Sequence, residues 1–127
     1  MKKEEKLKQI TIIYVEDDDV VRQGIAKFLS RRCKKLVEAA NGKEGFEEYK
    51  KNMPAMVITD IEMPIMGGME MIDKILDYKE KQPIIITTGY DDDEHKSNRV
   101  CRNILKPIRL DELLDAVISC LGLTDDK

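Results

Sequence analysis

Apolar residues fall into short continuous runs that alternate with segments of helical period. Ile10-Thr11-Ile12-Ile13-Tyr14-Val15 is β-branched and apolar on both faces, the pattern of a doubly buried strand, and it stops abruptly at Glu16-Asp17-Asp18-Asp19. Val21, Ile25, Phe28 and Leu29 then share one helical face and predict a helix to about Arg32. Leu36-Val37-Glu38-Ala39 is short and mixed, as an edge strand is. Asn41 with Glu44 resembles a capping box that opens a second helix, with Phe46 and Tyr49 on one face and Met53-Pro54 at its end. Met56 to Thr59 is a third strand leading into Asp60. After the turn Met63-Pro64-Ile65-Met66-Gly67-Gly68, residues Met69, Ile72 and Leu76 mark a third helix. Pro83-Ile84-Ile85-Ile86-Thr87 is a fourth strand. Asn103-Ile104-Leu105 is a weak fifth, and Leu110, Leu113, Leu114, Val117 and Leu121 stripe a last helix closed by Gly122. Strands alternating with helices predict an α/β domain, a parallel sheet with helices on both faces.

One segment breaks the alternation. Between the fourth and fifth strands, Asp91 to Arg99 carries no apolar stripe, so the helix expected there is short, distorted or disordered. The domain is expected over residues 10–123, with a charged N-terminal segment at 1–9 and a tail at 124–127.

Length and composition narrow the picture. The 127 residues suit one domain, and a net charge of −3 speaks against a nucleic-acid surface. No apolar stretch approaches the roughly 20 residues that span a bilayer, and no signal-peptide core follows the lysine-rich start, so a cytoplasmic protein is expected. Cys33, Cys101 and Cys120 are odd in number and far apart with no C-x-x-C pair, which leads us to expect reduced packing residues rather than a disulfide or a zinc site. His95 stands alone in an acidic stretch and reads as a surface histidine.

In a parallel sheet all strand carboxyl ends lie on one edge, where ligands bind. Glu16, Asp17, Asp60, Thr88 and Lys106 all fall there. Carboxylates gathered so closely repel unless a cation sits among them, and hard oxygen donors suit Mg²⁺. A carboxylate so placed is a nucleophile toward phosphorus, and Asp60 is the candidate. Lys106 and the Thr88 hydroxyl are then donors to the transferred phosphoryl oxygens.

Four motifs in order, V-E-D-D with Arg22 six residues after the glutamate, D-I-E-M-P-I-M-G-G, T-T-G and K-P, resemble the response-regulator receiver domain of bacterial two-component signalling, of the chemotaxis-regulator type. The resemblance covers nearly the whole chain. It implies a doubly wound, flavodoxin-like five-stranded sheet in the order 2-1-3-4-5. It also implies that Asp60 accepts phosphate from a histidine kinase or phosphotransfer protein, and that the phosphorylated form changes its affinity for a downstream protein. By the same resemblance Mg²⁺ is held by Asp17, Asp60, the backbone carbonyl of Glu62 and, through water, Glu16. Thr88 moves toward the phosphoryl group, Lys106 pairs with Asp60 or its phosphate, and Lys106-Pro107 is cis. The domain acts on itself and turns over no metabolite; as partners the resemblance implies proteins, with no nucleic acid or membrane bound directly, and a monomer or weak dimer.

The chain departs from the family in places. Asn103 stands where an aromatic switch residue is usual, and the Thr88 to Lys106 interval is about one helical turn short. Glu62 and Tyr90, each two residues past a site residue, are expected at the mouth, where they are either solvated or tune phosphate lifetime. The competing reading is a pseudo-receiver that binds partners without phosphorylation; a Mg²⁺ phosphohydrolase ranks behind it.

Overall fold

Each continuous apolar run becomes a strand. In the computed structural model, which describes residues 1–127, β1 (Thr11–Val15), β2 (Lys35–Ala39), β3 (Met56–Asp60), β4 (Ile84–Thr88) and β5 (Arg102–Leu105) form one five-stranded sheet in the order β2-β1-β3-β4-β5. Every pairing is parallel, with Val15 opposite Thr59, Asp60 opposite Thr87 and Thr88 opposite Leu105. This register brings the ends of β1, β3, β4 and β5 to one edge. All residues of β3 and β4 are buried, which explains why their sequences do not alternate.

The helices are α1 (Lys3–Leu7), α2 (Asp19–Ser30), α3 (Gly42–Asn52), α4 (Gly68–Tyr78) and α5 (Leu110–Cys120). Strand side chains point alternately to the two faces, so the core is divided. On one face Ile12, Tyr14, Ile58 and Ile104 pack with Ile25 and Leu29 of α2 and with Leu113 and Val117 of α5. On the other, Ile13, Val57 and Ile86 pack with Tyr49 of α3 and with Met71, Ile72 and Ile75 of α4. The parallel sheet with helices on both faces is therefore the one the alternation implied, and its strand order the one the resemblance implied.

Local signals hold too. The Asp18 carboxylate caps α2 by accepting from the backbone N–H groups of Val20 and Val21, and Asn41 caps α3 by accepting from that of Glu44. Gly68 opens α4 against the acid-bearing strand: its N–H donates to the Ile61 carbonyl at 2.8 Å, and any Cβ there would overlap the Asp60 carbonyl oxygen.

The connection from β4 to β5 holds only a 3-10 turn, Asp93–His95, in line with its missing apolar stripe. Asn103 on β5 steadies this connection. Its side-chain amide donates to the Ser97 carbonyl at 2.9 Å and accepts from the Ser97 N–H at 3.1 Å, doing what a neighbouring strand's backbone would do. The residue at the usual switch position thus faces the loop.

Two features were not foreseen from the sequence. The charged start contains α1, whose Leu7 is 3 % exposed in the core, while the amino terminus and Lys6 both pair with Asp126, at 2.9 and 2.8 Å. The two chain ends hold one another. Second, Cys101 and Cys120 form a disulfide, with Cα atoms 6.0 Å apart, so the expectation of three reduced cysteines is corrected; Cys33 alone is free and buried. The physical reason is the βα unit itself: α5 runs back along β5, so the end of the helix returns to the start of the strand. A separation of 19 residues conceals that meeting.

Candidate functional site

The sheet edge gathers acids around one ammonium. Glu16 follows β1, Asp60 ends β3 and Lys106 follows β5; the Lys106 Nζ donates to Glu16 Oε1 at 2.7 Å and to Asp60 Oδ2 at 2.9 Å. The other Asp60 oxygen, Oδ1, accepts from the Ile61 N–H at 2.7 Å, so the carboxylate is fixed from two sides. Glu16 is held likewise, its Oε2 accepting from the Asp18 N–H at 3.2 Å and its backbone carbonyl from Arg22 at 2.8 Å. Arg22, from the first motif, also reaches Asp19 and Glu38 and so braces the loop after β1.

Asp17 completes the cluster. Glu16, Asp17 and Asp60 each offer a carboxylate oxygen, all within 4.8 Å of one another; Glu16 and Asp60 are buried and Asp17 is exposed. Of the three carboxylates, Glu16 and Asp60 share a single ammonium, and hard oxygen donors with one side open to solvent fit a divalent cation of the Mg²⁺ kind. Burial pushes the Glu16 carboxyl above its usual range against the pull of Lys106. Burial works against the Lys106 charge as well, but its hydrogen bonds to Glu16 and Asp60 hold it above the ordinary lysine range, so it stays charged.

Thr88 ends β4 beside this cluster. Its carbonyl accepts from the Lys106 N–H at 2.7 Å and its hydroxyl oxygen from the Tyr90 N–H at 3.2 Å. The Lys106-Pro107 peptide bond is cis. Glu16, Asp17, Asp60, Thr88 and Lys106 are therefore brought to one edge, while Asn103 is turned away to Ser97.

Glu62 and Tyr90 meet through a residue that the sequence presented as an isolated surface histidine. His95 Nε2 lies 2.8 Å from Glu62 Oε1, its Nδ1 lies 2.6 Å from Asp92 Oδ1, and its ring stacks on Tyr90 with centroids 4.3 Å apart. The Asp92 carboxylate, and after it that of Glu62, hold the imidazole pKa above its ordinary value. No local signal reveals this, since Glu62 and His95 are 33 residues apart and meet only because the loops after β3 and β4 are neighbours. The Tyr14 hydroxyl was also missed: it is buried without a partner, and burial, then the charges of Glu16 and Asp60, raise its pKa.

Comparison with known proteins agrees with this geometry. The family model of the response regulator receiver domain matches residues 12–118. The chain is 30 % identical over 116 residues to the transcriptional regulatory protein LnrK of Bacillus subtilis, covering 87 % of this chain and 53 % of LnrK. It thus spans about half the length of that relative. Among solved structures, a CheY-like receiver domain protein from Methanospirillum hungatei superposes with a TM-score of 0.84 at 24 % identity, covering 90 % of this chain and 94 % of that one, which speaks for the fold alone. The response regulator TrrA of Thermotoga maritima, solved in complex with Mg²⁺ and BeF, gives a TM-score of 0.77 at 26 % identity, covering 87 % and 97 %. A family match over most of the chain, joined to this acidic sheet edge, means that the chain belongs to the response regulator receiver domains of two-component systems.

Proposed function

We propose that this receiver domain, taken as residues 10–123, accepts a phosphoryl group on Asp60 from a histidine kinase or phosphotransfer protein, and that the phosphorylated form changes its affinity for a downstream protein. The observation that carries the reading is the Lys106 ammonium held between Glu16 and Asp60, with Asp17 completing the acidic cluster. The Ile61 N–H and Lys106 aim the Asp60 carboxylate, whose oxygen forms the bond to phosphorus while the phosphorus–nitrogen bond to the donor imidazole breaks. Lys106 then follows the charge onto the phosphoryl oxygens, and the Thr88 hydroxyl donates to another of them.

Asp17, Asp60 and the Glu62 carbonyl would hold Mg²⁺, with Glu16 acting through water; the ion supplies positive charge to the phosphoryl oxygens. TrrA, seen with Mg²⁺ and BeF, supports this assignment by likeness. We place Glu62 and Tyr90 at the mouth as tuning residues, and place the domain in the cytoplasm, where its family works. No helix is long and apolar enough to cross a membrane.

Intact mass after incubation with a small acyl phosphate, with Mg²⁺ or with chelator, tests the reading. A gain of one phosphoryl group that needs the metal and vanishes in Asp60→Asn is the expected result. No gain from the acyl phosphate or from a phosphorylated kinase would instead favour a phosphorylation-independent interaction module.

A further inference from the structure

Glu62 and Tyr90 lie on separate loops, and one side chain ties them together. The His95 side chain is 12 % exposed although its neighbours Asp91 to Glu94 are open to solvent, and both ring nitrogens are engaged, Nδ1 by Asp92 and Nε2 by Glu62. Its face is taken by the Tyr90 ring. Tyr90 in turn donates its N–H to the Thr88 hydroxyl oxygen. A continuous line of contacts therefore runs from Thr88 through Tyr90 and His95 to Glu62, two residues past Asp60.

We propose that His95 is a positioning residue for the phosphoryl site: it holds together Glu62 and Tyr90, which stand two residues past Asp60 and Thr88, and so lengthens the life of the aspartyl phosphate. The inference rests on Asp60 being the acceptor. Hydrolysis joins a water oxygen to phosphorus and breaks the phosphorus–oxygen bond to Asp60, whose carboxylate leaves with the electron pair; the water protons pass to inorganic phosphate and solvent. The attacking water must approach opposite the bond that breaks, and side chains fixed at the mouth limit that approach. Asp92 orients the ring through Nδ1 and caps the same turn by accepting from the His95 N–H at 3.0 Å. The short turn that replaces a helix thereby becomes part of the site.

The experiment loads the protein with a small acyl phosphate and Mg²⁺, removes the donor, and follows decay by intact mass for each loaded molecule. His95→Ala is expected to shorten the half-life about three- to tenfold, the scale of one lost hydrogen bond expressed as a rate. His95→Gln keeps an N–H donor for Glu62 and is expected to recover part of the loss, which a residue that merely fills the turn would not require. In a Glu62→Ala background, His95→Ala should add little, because the two act through one contact. An unchanged half-life in His95→Ala, equal decay in the Gln and Ala variants, or fully multiplying effects of positions 62 and 95 would each overturn the proposal. A wild type that loads but shows no dependence on His95 removes this inference alone, whereas a wild type that takes up no phosphoryl group removes the reading of Asp60 and the inference with it.

Discussion

The crossover from β3 to β4 and the connection from β4 to β5 both leave the acidic edge of the sheet after a residue of the proposed site, Asp60 in one case and Thr88 in the other. The first becomes an eleven-residue helix; the second becomes a three-residue turn. α4 buries Met71, Ile72, Ile75 and Leu76 against the sheet, whereas the β4–β5 connection offers only the partly buried Val100 to the same core. Apart from the Cys101–Cys120 bond at its end, what holds the second segment is polar: Asn103 on Ser97, His95 between Asp92 and Glu62, Lys96 on Asp91 and Arg99 on Asp73. An apolar stripe orders a segment by burial. Without one, each point of order needs its own named contact, and a side chain committed to such a contact can bring the segment to a site.

Substitutions should expose that difference. Ile72→Ala, at a fully buried position on α4, should cost about 2–5 kcal/mol in urea unfolding, since it removes core volume that its neighbours only partly refill. No single truncation within residues 91–99 should approach that cost; an equal loss there would break the comparison. Reduction of the Cys101–Cys120 bond, which ties the end of this connection to α5 across 19 residues, should lower stability by about 3 kcal/mol on loop-entropy grounds, read as a shift in unfolding midpoint with and without reductant. Asn103→Ala removes both hydrogen bonds to Ser97 and should cost about 1 kcal/mol, with faster amide exchange at 93–99 and little change in α4.

The smallest effect is one of pH. The hydrogen bond from His95 lowers the Asp92 pKa, so this carboxylate contributes order that is present above the ordinary carboxylate range and is lost as pH falls through its depressed value. Intrinsic-rate-corrected amide exchange at 92–96 should accelerate on acidification to that region before α4 responds. Equal acid sensitivity in both segments would sink the contrast.

The same contrast explains what the sequence disclosed. β1, β3 and β4 are legible because burial on two faces leaves nearly unbroken apolar runs; Asp17 and Asp60 are legible because they stand where two of those runs stop, and Lys106 because a proline follows it at the end of the weaker β5. The weak helicity of the β4–β5 connection is legible as a missing stripe. Leu7 is hidden because a single apolar anchor among lysines and glutamates makes no period. The Cys101–Cys120 bond and the Glu62–His95 contact are hidden for another reason, since both depend on how completed elements come together, and sequence distance carries no trace of it.

The salt link between the amino terminus and Asp126 places the beginning and the end of the chain side by side. A short linker joining them would turn the domain into a closed ring, and the exposed stretch near Asn98 is the natural place to cut it open again. Such a circular permutant would begin and end in the polar connection, so that a reporter carried on either new terminus would ride on the segment whose His95 meets Glu62.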